Sequence, residues 1–122
     1  MKVPELDERI AQHARALIAG DDRAAESMVT PAGLATWGSV AATISGRRPL
    51  DRYELIACAK IGMQFMAKTR FSSESGVLTL LIRWKLTDGE WMIAEAEDIS
   101  TKRSPWSDLQ HYRKEGGGAT NA

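Results

Sequence analysis

The pattern of apolar and polar residues divides the chain into a helical first half and a strand-forming second half. Before residue 20, apolar side chains recur at every third or fourth position, as on the buried face of an α-helix. From about residue 60 to residue 100, apolar and polar residues alternate, as in strands that bury one face. This order predicts an α+β domain in which helices pack on an antiparallel meander of three strands.

The first helix is predicted over residues 4–19, and Gly20 suits the position just after its last turn. Its buried face is predicted to consist of Leu6, Ile10, His13, Ala14, Leu17 and Ile18. A short second helix is predicted to begin at Asp21 or Asp22, whose side chains suit an N-cap, and to end near Val29.

Two segments leave alternatives open. Residues 32–45 have apolar side chains at helical spacing, which favours a third helix, but their β-branched residues leave a strand or a loop open. Residues 50–59 fit either a short helix or the beginning of the next strand. The sequence alone therefore defines the two ends of the domain better than its middle.

The strands are read from their alternation. The first predicted apolar face comprises Ile61, Met63, Phe65, Ala67, Thr69 and Phe71, and the next comprises Leu78, Leu80, Ile82, Trp84 and Leu86. The Asp88-Gly89 pair is a strong hairpin signal before a last strand over residues 90–100.

The last strand allows three interpretations. In the favoured one, Met92, Ala94 and Ala96 join the core, Asp98 points inward, and Glu95 and Glu97 face basic residues of neighbouring strands. In the second, Trp91 and Ile93 join the core, and Glu95 or Glu97 enters a pocket. In the third, a β-bulge changes the buried face within the strand.

Composition narrows the function classes. The chain has 122 residues, sixteen basic and sixteen acidic, which fits one domain and does not favour a general nucleic-acid binder. Cys58 is the single cysteine, so we expect a reduced, buried thiol and a cytoplasmic protein. We expect no membrane association, because no apolar run approaches the length of a span and the N-terminus does not read as a signal peptide.

The hairpin Arg83-Trp84-Lys85-Leu86-Thr87-Asp88-Gly89-Glu90-Trp91-Met92-Ile93 and the Ala19-Gly20-Asp21 break resemble the nuclear transport factor 2-like superfamily over residues 4–100. That group includes SnoaL-like polyketide cyclases and ketosteroid isomerases. The resemblance implies a cystatin-like cone, in which a curved antiparallel sheet wraps around the N-terminal helices and leaves a pocket. It also implies a homodimer through the outer sheet face. The cone is predicted over residues 1–106, with a C-terminal extension over 107–122.

The same resemblance implies a carboxylate and a tyrosine or histidine in the pocket of an enzyme of this group. Asp98 loosely matches the late acidic residue of some cyclases, whereas the first helix carries His13 where ketosteroid isomerases carry tyrosine. One hypothesis is therefore a cofactor-free cyclase, isomerase or dehydratase that uses Asp98 and His13 for proton transfer. The alternative is that His13 is a core residue and that Asp98 caps the turn beginning at Ser100.

The favoured hypothesis is a domain that binds a small apolar or aromatic molecule. The side chains predicted to line the pocket are Trp37, Tyr53, Met63, Phe65 and Trp84. A third hypothesis is an interaction module that acts through the outer sheet face, where Lys60, Lys68, Arg70, Arg83 and Lys85 are expected to lie. Neither a metal nor a cofactor is expected, because no Cys/His spacing and no phosphate-binding loop occurs.

Overall fold

The computed structural model describes residues 4–74 and 76–100. Within these residues, three helices precede four strands: α1 (Pro4–Ala19), α2 (Asp22–Glu26), α3 (Leu34–Arg47), β1 (Leu50–Ile61), β2 (Gln64–Ser73), β3 (Gly76–Thr87) and β4 (Glu90–Asp98). The strands form one antiparallel sheet in the order β1-β2-β3-β4. The predicted α+β class is confirmed. The predicted boundary at residue 106 and the extension over 107–122 lie outside the described residues.

The two N-terminal helices follow their sequence signals. The predicted stripe of α1 is buried except for Ile18, which is half-buried, because this face packs on the sheet. Gly20 follows α1 with a φ of +80°, a left-handed conformation that glycine adopts without strain. Asp21 then caps α2 by accepting a hydrogen bond from the Ala24 amide at 3.1 Å. Helix α2 ends at Glu26, three residues before the predicted Val29.

The structure decides between the alternatives for residues 32–45 and 50–59. Residues 34–47 form α3, whose Trp37, Val40 and Ile44 are buried at helical spacing. Residues 50–61 form β1, so the predicted meander of three strands is corrected to four. The β-branched residues of α3 are compatible with a helix because tertiary burial outweighs a small difference in propensity.

The core lies between the helices and the inner face of the sheet. Strands β2, β3 and β4 bury Phe65, Ala67, Thr69, Phe71, Leu78, Leu80, Ile82, Trp84, Ile93 and Ala96 on this face. Three predicted inward residues are instead exposed: Ile61 and Met63, at the turn between β1 and β2, and Leu86, near the end of β3. The alternation is correct over residues 65–71 and 78–84. Ile61 instead belongs to β1 and pairs with Gln64, so it faces the side opposite to Phe65, and Met63 lies in the turn. Leu86 keeps the predicted direction but lies beyond the cover of the helices.

A bulge in β4 decides among the three interpretations of that strand. Arg83 pairs with Glu95 and Trp84 pairs with Ile93, so Ala94 has no partner on β3. Ile93 and Ala96 are both buried although they are three residues apart, which a regular strand does not allow. The favoured interpretation, in which Met92 and Ala94 join the core, is therefore wrong, and the bulge interpretation is confirmed.

The outer face of the sheet carries ion pairs between strands, and β1 is an edge strand. Arg83 forms an ion pair with Glu95, as predicted for that glutamate, and Arg70 forms an ion pair with Glu54 at 3.1 Å, which was not predicted. Among the described residues, no strand pairs with the other side of β1, whose register shifts at Asp51 and Ile56. Homodimerisation through the outer face stays a prediction.

Candidate functional site

The two hairpins meet at one end of the sheet and form a groove there. Because β2 and β3 are antiparallel, Gln64 at the start of β2 lies opposite Lys85 near the end of β3. The groove is lined by Lys60, Met63, Gln64, Phe65, Lys85, Leu86 and Trp91 and has a volume of about 350 Å³. We call it the hairpin groove.

Two aromatic rings shape the hairpin groove. The centroids of Phe65 and Trp91 lie 5.5 Å apart with an interplanar angle of 83°, an edge-to-face arrangement that stabilises aromatic pairs. Phe65 is buried and Trp91 is half-buried, whereas Leu86 is 52% exposed and Met63 is 87% exposed. The groove therefore combines fixed rings with aliphatic side chains that are free to adjust to a ligand.

Helix α1 holds Trp91 at this position. The Arg9 Nε donates a hydrogen bond to the Trp91 carbonyl oxygen at 2.8 Å, and an Arg9 terminal nitrogen lies 3.5 Å from the Met92 sulfur. The same guanidinium lies 3.9 Å from the Glu90 carboxylate. One arginine of the first helix thus fixes the backbone at the start of β4, and with it one wall of the groove.

A second concavity lies among the three helices. It is lined by Leu17, Asp22, Glu26, Leu34, Trp37, Gly38, Ala41 and Ile44 and has a volume of about 240 Å³. An Arg48 guanidinium nitrogen lies 2.6 Å from the Asp22 carboxylate at its rim, and this hydrogen bond lowers the pKa of Asp22. Small-molecule sites usually enclose about 300 Å³ or more, so the hairpin groove is the better candidate.

His13 is sealed in the core. Its side chain is 2% exposed and packs edge-on against Trp37 and Trp84, with centroid distances of 5.0 Å and 5.8 Å. Burial, followed by the nearby charge of Arg9, lowers the pKa of His13 from 6.5 to about 3, so the imidazole is neutral at physiological pH. Among the described residues, the Nε2 atom of His13 and the Nε1 atom of Trp84 have no hydrogen-bond partner.

Asp98 participates in a turn at the opposite end of β4. One of its carboxylate oxygens accepts hydrogen bonds from the amide, at 2.9 Å, and the hydroxyl of Ser100. The Ser100 hydroxyl in turn accepts a hydrogen bond from the Thr79 amide at 2.8 Å. This geometry matches the capping interpretation of Asp98. No residue that the structure describes, Asp98 included, forms a hydrogen bond with Nε2 of His13, so Asp98 does not orient the imidazole through that atom. The catalytic pairing stays a prediction.

The five side chains predicted to bind a ligand are distributed over three places. Met63 and Phe65 line the hairpin groove. Trp37 and Trp84 contact His13 in the core, and Trp37 also borders the concavity among the helices. Tyr53 on β1 pairs with Phe71 at 6.3 Å. A ligand-binding role is therefore geometrically consistent for the first two residues together, not for all five in one pocket.

Five residues of the groove were not predicted to bind a ligand: Lys60, Gln64, Lys85, Leu86 and Trp91. The sequence contains one signal that identifies them, because Asp88-Gly89 marks one hairpin tip and Gly62 marks another. The φ values of Gly62 and Gly89 are +64° and +83°, which suit glycine in tight turns. Two adjacent hairpins necessarily bring the residues beside their turns together.

Other chemistries find little support in the part of the chain that the structure describes. No group of three or more His, Cys, Asp or Glu side chains there is arranged to hold a metal ion. Cys58 is half-buried, and burial, followed by the charge of Asp7, raises the pKa of its thiol, which disfavours a nucleophilic thiolate. No helix among residues 4–74 and 76–100 combines the length and the apolar character needed to span a bilayer.

Comparisons with known proteins relate the fold to others. No family model matches the chain, and no curated protein matches it. A nuclear transport factor 2-like protein of unknown function from Shewanella baltica superposes with a TM-score of 0.59 at 9% identity, covering 77% of this chain and 90% of that one. A de novo designed protein with a curved β-sheet superposes with a TM-score of 0.56 at 17% identity, covering 75% and 97%.

A designed nuclear transport factor 2-like protein also superposes with a TM-score of 0.56 at 11% identity, covering 78% of this chain and 97% of that chain. At such low identity, these likenesses concern the arrangement of the backbone. They agree with the helices and the four-stranded curved sheet described above. The chain therefore has the nuclear transport factor 2-like fold, as its sequence resemblance implied.

Proposed function

We propose that this domain binds a small apolar or aromatic molecule in the hairpin groove. The observation that carries the proposal is a concavity of about 350 Å³ with the edge-to-face rings of Phe65 and Trp91 and the exposed side chains of Met63 and Leu86. Apolar side chains that are exposed together beside a preformed aromatic pair are a common feature of ligand sites.

Hydrophobic burial supplies the driving force. Covering an exposed leucine or methionine side chain is worth on the order of 1–2 kcal/mol when half of its surface leaves water. The Arg9 hydrogen bond to Trp91 keeps one wall in place before a ligand arrives, so less conformational entropy is lost on binding. A flat molecule that contacts Phe65, Trp91 and Leu86 gains from both effects.

The proposal is tested with a neutral fluorescent probe, N-phenylnaphthylamine, whose emission rises in apolar surroundings. We expect saturable binding with one site per chain. Leu86→Glu places a charge in the groove and is expected to weaken binding about tenfold, which corresponds to the loss of about 1.4 kcal/mol.

Val77→Glu is the matched control for that variant. Val77 is 49% exposed and lies at the other end of β3, so it receives the same charge on the same strand without touching the groove. We expect this variant to bind the probe as the native protein does. If both variants bind equally, or if the native protein shows no saturable binding, the hairpin groove is not a site for apolar molecules.

A further inference from the structure

Residues 101–122 follow β4 outside the described part of the chain, and their sequence combines basic and aromatic side chains. The segment has four basic residues against two acidic ones: Lys102, Arg103, Arg113 and Lys114 against Asp108 and Glu115. Its largest apolar side chain is that of Trp106, six positions after Ser100. Because an indole buries a large apolar area, an apolar concavity within reach of Trp106 is a favourable place for it.

The last described residues show where this segment begins. The Ile99 amide donates a hydrogen bond to the Thr79 carbonyl oxygen at 2.9 Å, and the Ser100 hydroxyl accepts one from the Thr79 amide at 2.8 Å. Two residues before Thr79, the carbonyl oxygen of Val77 accepts a hydrogen bond from an Arg47 guanidinium nitrogen at 3.4 Å. The segment therefore begins close to the last turn of α3.

The concavity among the three helices, which we call the helix concavity, lies beside the same part of α3. Arg48 donates hydrogen bonds to two of its lining residues, to the Asp22 carboxylate at 2.6 Å and to the Leu17 carbonyl oxygen at 3.1 Å. Its neighbour Arg47 contacts the end of the sheet, and adjacent Cα atoms are about 3.8 Å apart. Six residues of extended chain span up to about 20 Å, so Trp106 is able to reach the helix concavity.

The size and the lining of the helix concavity suit one large apolar side chain. Its volume of about 240 Å³ is below the range of about 300–1,000 Å³ that is usual for small-molecule sites. The core residues Leu17, Trp37 and Ile44 line it from inside. Leu34 also lines it and is 42% exposed. A docked indole covers this apolar surface, which removes water from both partners.

Charge favours the helix concavity over the hairpin groove for a basic segment. The acidic residues that line the helix concavity are Asp22 and Glu26, and only Asp22 has a salt bridge with a described residue. The hairpin groove is lined by Lys60 and Lys85 and by no acidic residue. A segment with excess positive charge is therefore attracted to the first concavity and repelled from the second, although each exposed charge contributes little.

We infer that the segment after β4 docks on its own domain, with the indole of Trp106 in the helix concavity. The occupant is a part of the same chain because a short connection keeps it at a high effective concentration beside the concavity. Docking covers the exposed surface of Leu34 and leaves the hairpin groove open, since the two concavities have no lining residue in common.

The experiment follows Trp106 in the full chain by ¹⁹F NMR. Incorporating 5-fluorotryptophan gives one signal for each of the four tryptophans, and Trp106→Phe identifies the signal of Trp106. We expect the shift of this signal between H₂O and D₂O to be at least about twofold smaller than that of free 5-fluorotryptophan, because a docked indole is shielded from solvent.

Two variants of α3 test the place of docking. Gly38 lines the helix concavity and Gly46 does not, and no described residue packed against either glycine comes within 4 Å of its Cβ position. Gly38→Leu fills the concavity, so we expect the Trp106 signal to become as sensitive to solvent as free 5-fluorotryptophan. Gly46→Leu, the matched control on the same helix, is expected to keep the native signal. Circular dichroism verifies that both variants are folded.

Each other outcome overturns the inference. A Trp106 signal that is fully sensitive to solvent in the native protein shows that the segment does not dock. Equal responses of the Gly38 and Gly46 variants show that Trp106 is not in the helix concavity. Protection that disappears on tenfold dilution shows that the segment of a second copy is the occupant. Protection that is independent of concentration and lost only in Gly38→Leu supports the inference.

Discussion

The middle and the end of strand β3 carry the same kind of side chain in different surroundings. Leu80 and Trp84 are fully buried under the helices, whereas Leu86, two residues further along the same alternation, is 52% exposed. All three belong to one sequence pattern. The difference arises because helices cover the middle of the sheet and leave the hairpin tips uncovered.

This comparison shows that alternation reports the direction of a side chain and not its burial. Around Leu80, complete burial fixes each side chain, and substitution there is expected to affect stability. At Leu86, partial exposure leaves surface for a ligand, and substitution there is expected to affect binding. A matched series of substitutions along the sheet therefore separates the two roles.

The largest expected effect follows from Leu80→Ala. Truncating a fully buried leucine costs about 2–5 kcal/mol of unfolding free energy, since the lost methyl groups leave a cavity. Leu86→Ala is the matched control, and we expect a change within about 0.5 kcal/mol, as for exposed positions. Denaturant titration monitored by circular dichroism measures both; similar losses would show that the groove is as tightly packed as the core.

The pH dependence of the unfolding free energy tests whether His13 is buried as a neutral imidazole in the core. Because its pKa falls from 6.5 in the unfolded chain to about 3 in the folded one, the unfolded state binds the extra proton between these values. Stability is therefore complete above pH 6.5 and decreases as the pH falls, by about 1.4 kcal/mol per pH unit. We expect the native protein to lose about 2 kcal/mol between pH 6.5 and pH 5.

His13→Leu removes the titrating group and is the comparison for that experiment. We expect its unfolding free energy to vary much less between pH 6.5 and pH 5 than that of the native protein. This window is chosen because most carboxylates remain ionised there. Identical slopes for the two proteins would contradict the burial of a neutral imidazole between Trp37 and Trp84.

A smaller effect is expected where α3 meets the bulge of β4. A Cβ atom on Gly33 would lie 2.6 Å from the Ile93 carbonyl oxygen and 2.9 Å from a methyl carbon of Val29. Gly33→Ala is therefore expected to cost about 1–3 kcal/mol through overpacking. Gly38, inside α3, has no atom of another described residue within 4 Å of its Cβ position, so Gly38→Ala is expected to stabilise by about 0.5–1 kcal/mol. Thermal melts of both variants reveal the opposite signs.

The smallest effect is expected from Asp98→Asn. Asparagine retains an oxygen that accepts the Ser100 amide, so we expect a loss of less than about 1 kcal/mol. If Asp98 instead acts as an acid or base, the variant abolishes turnover of a substrate at an unchanged melting temperature. An assay against small cyclisable or isomerisable ketones checks this alternative directly, with native protein as the reference.

The sequence predicts a structural feature well when residues close together in the chain determine it. The stripe of α1, the cap at Asp21 and the Asp88-Gly89 turn are local, and the structure agrees with each. The burial of Met63 and Leu86 depends on where distant helices end, and the sequence pattern mispredicts both. The bulge at Ala94 was one of three alternatives, because pairing across strands decides it.

The candidate site illustrates the same limit. Met63 and Phe65 were identified as ligand-contacting residues because they are apolar, but Trp37 and Trp84 share that character and lie in the core. Lys60 and Leu86 lie beside different hairpin turns, and the pairing of the hairpins brings them to one groove. A site that is formed by residues beside separate turns becomes apparent only when the strand topology is known.

The register shifts at Asp51 and Ile56 have a consequence for how molecules of this protein meet. A strand that adds to a sheet needs an uninterrupted ladder of amides and carbonyls, and β1 is an edge strand whose own register against β2 is interrupted at two places. Residues 52–55 and 57–61 keep a regular register with β2, and each of these two stretches is short for stable pairing. The irregular edge of β1 therefore protects the folded domain against fibre-like stacking.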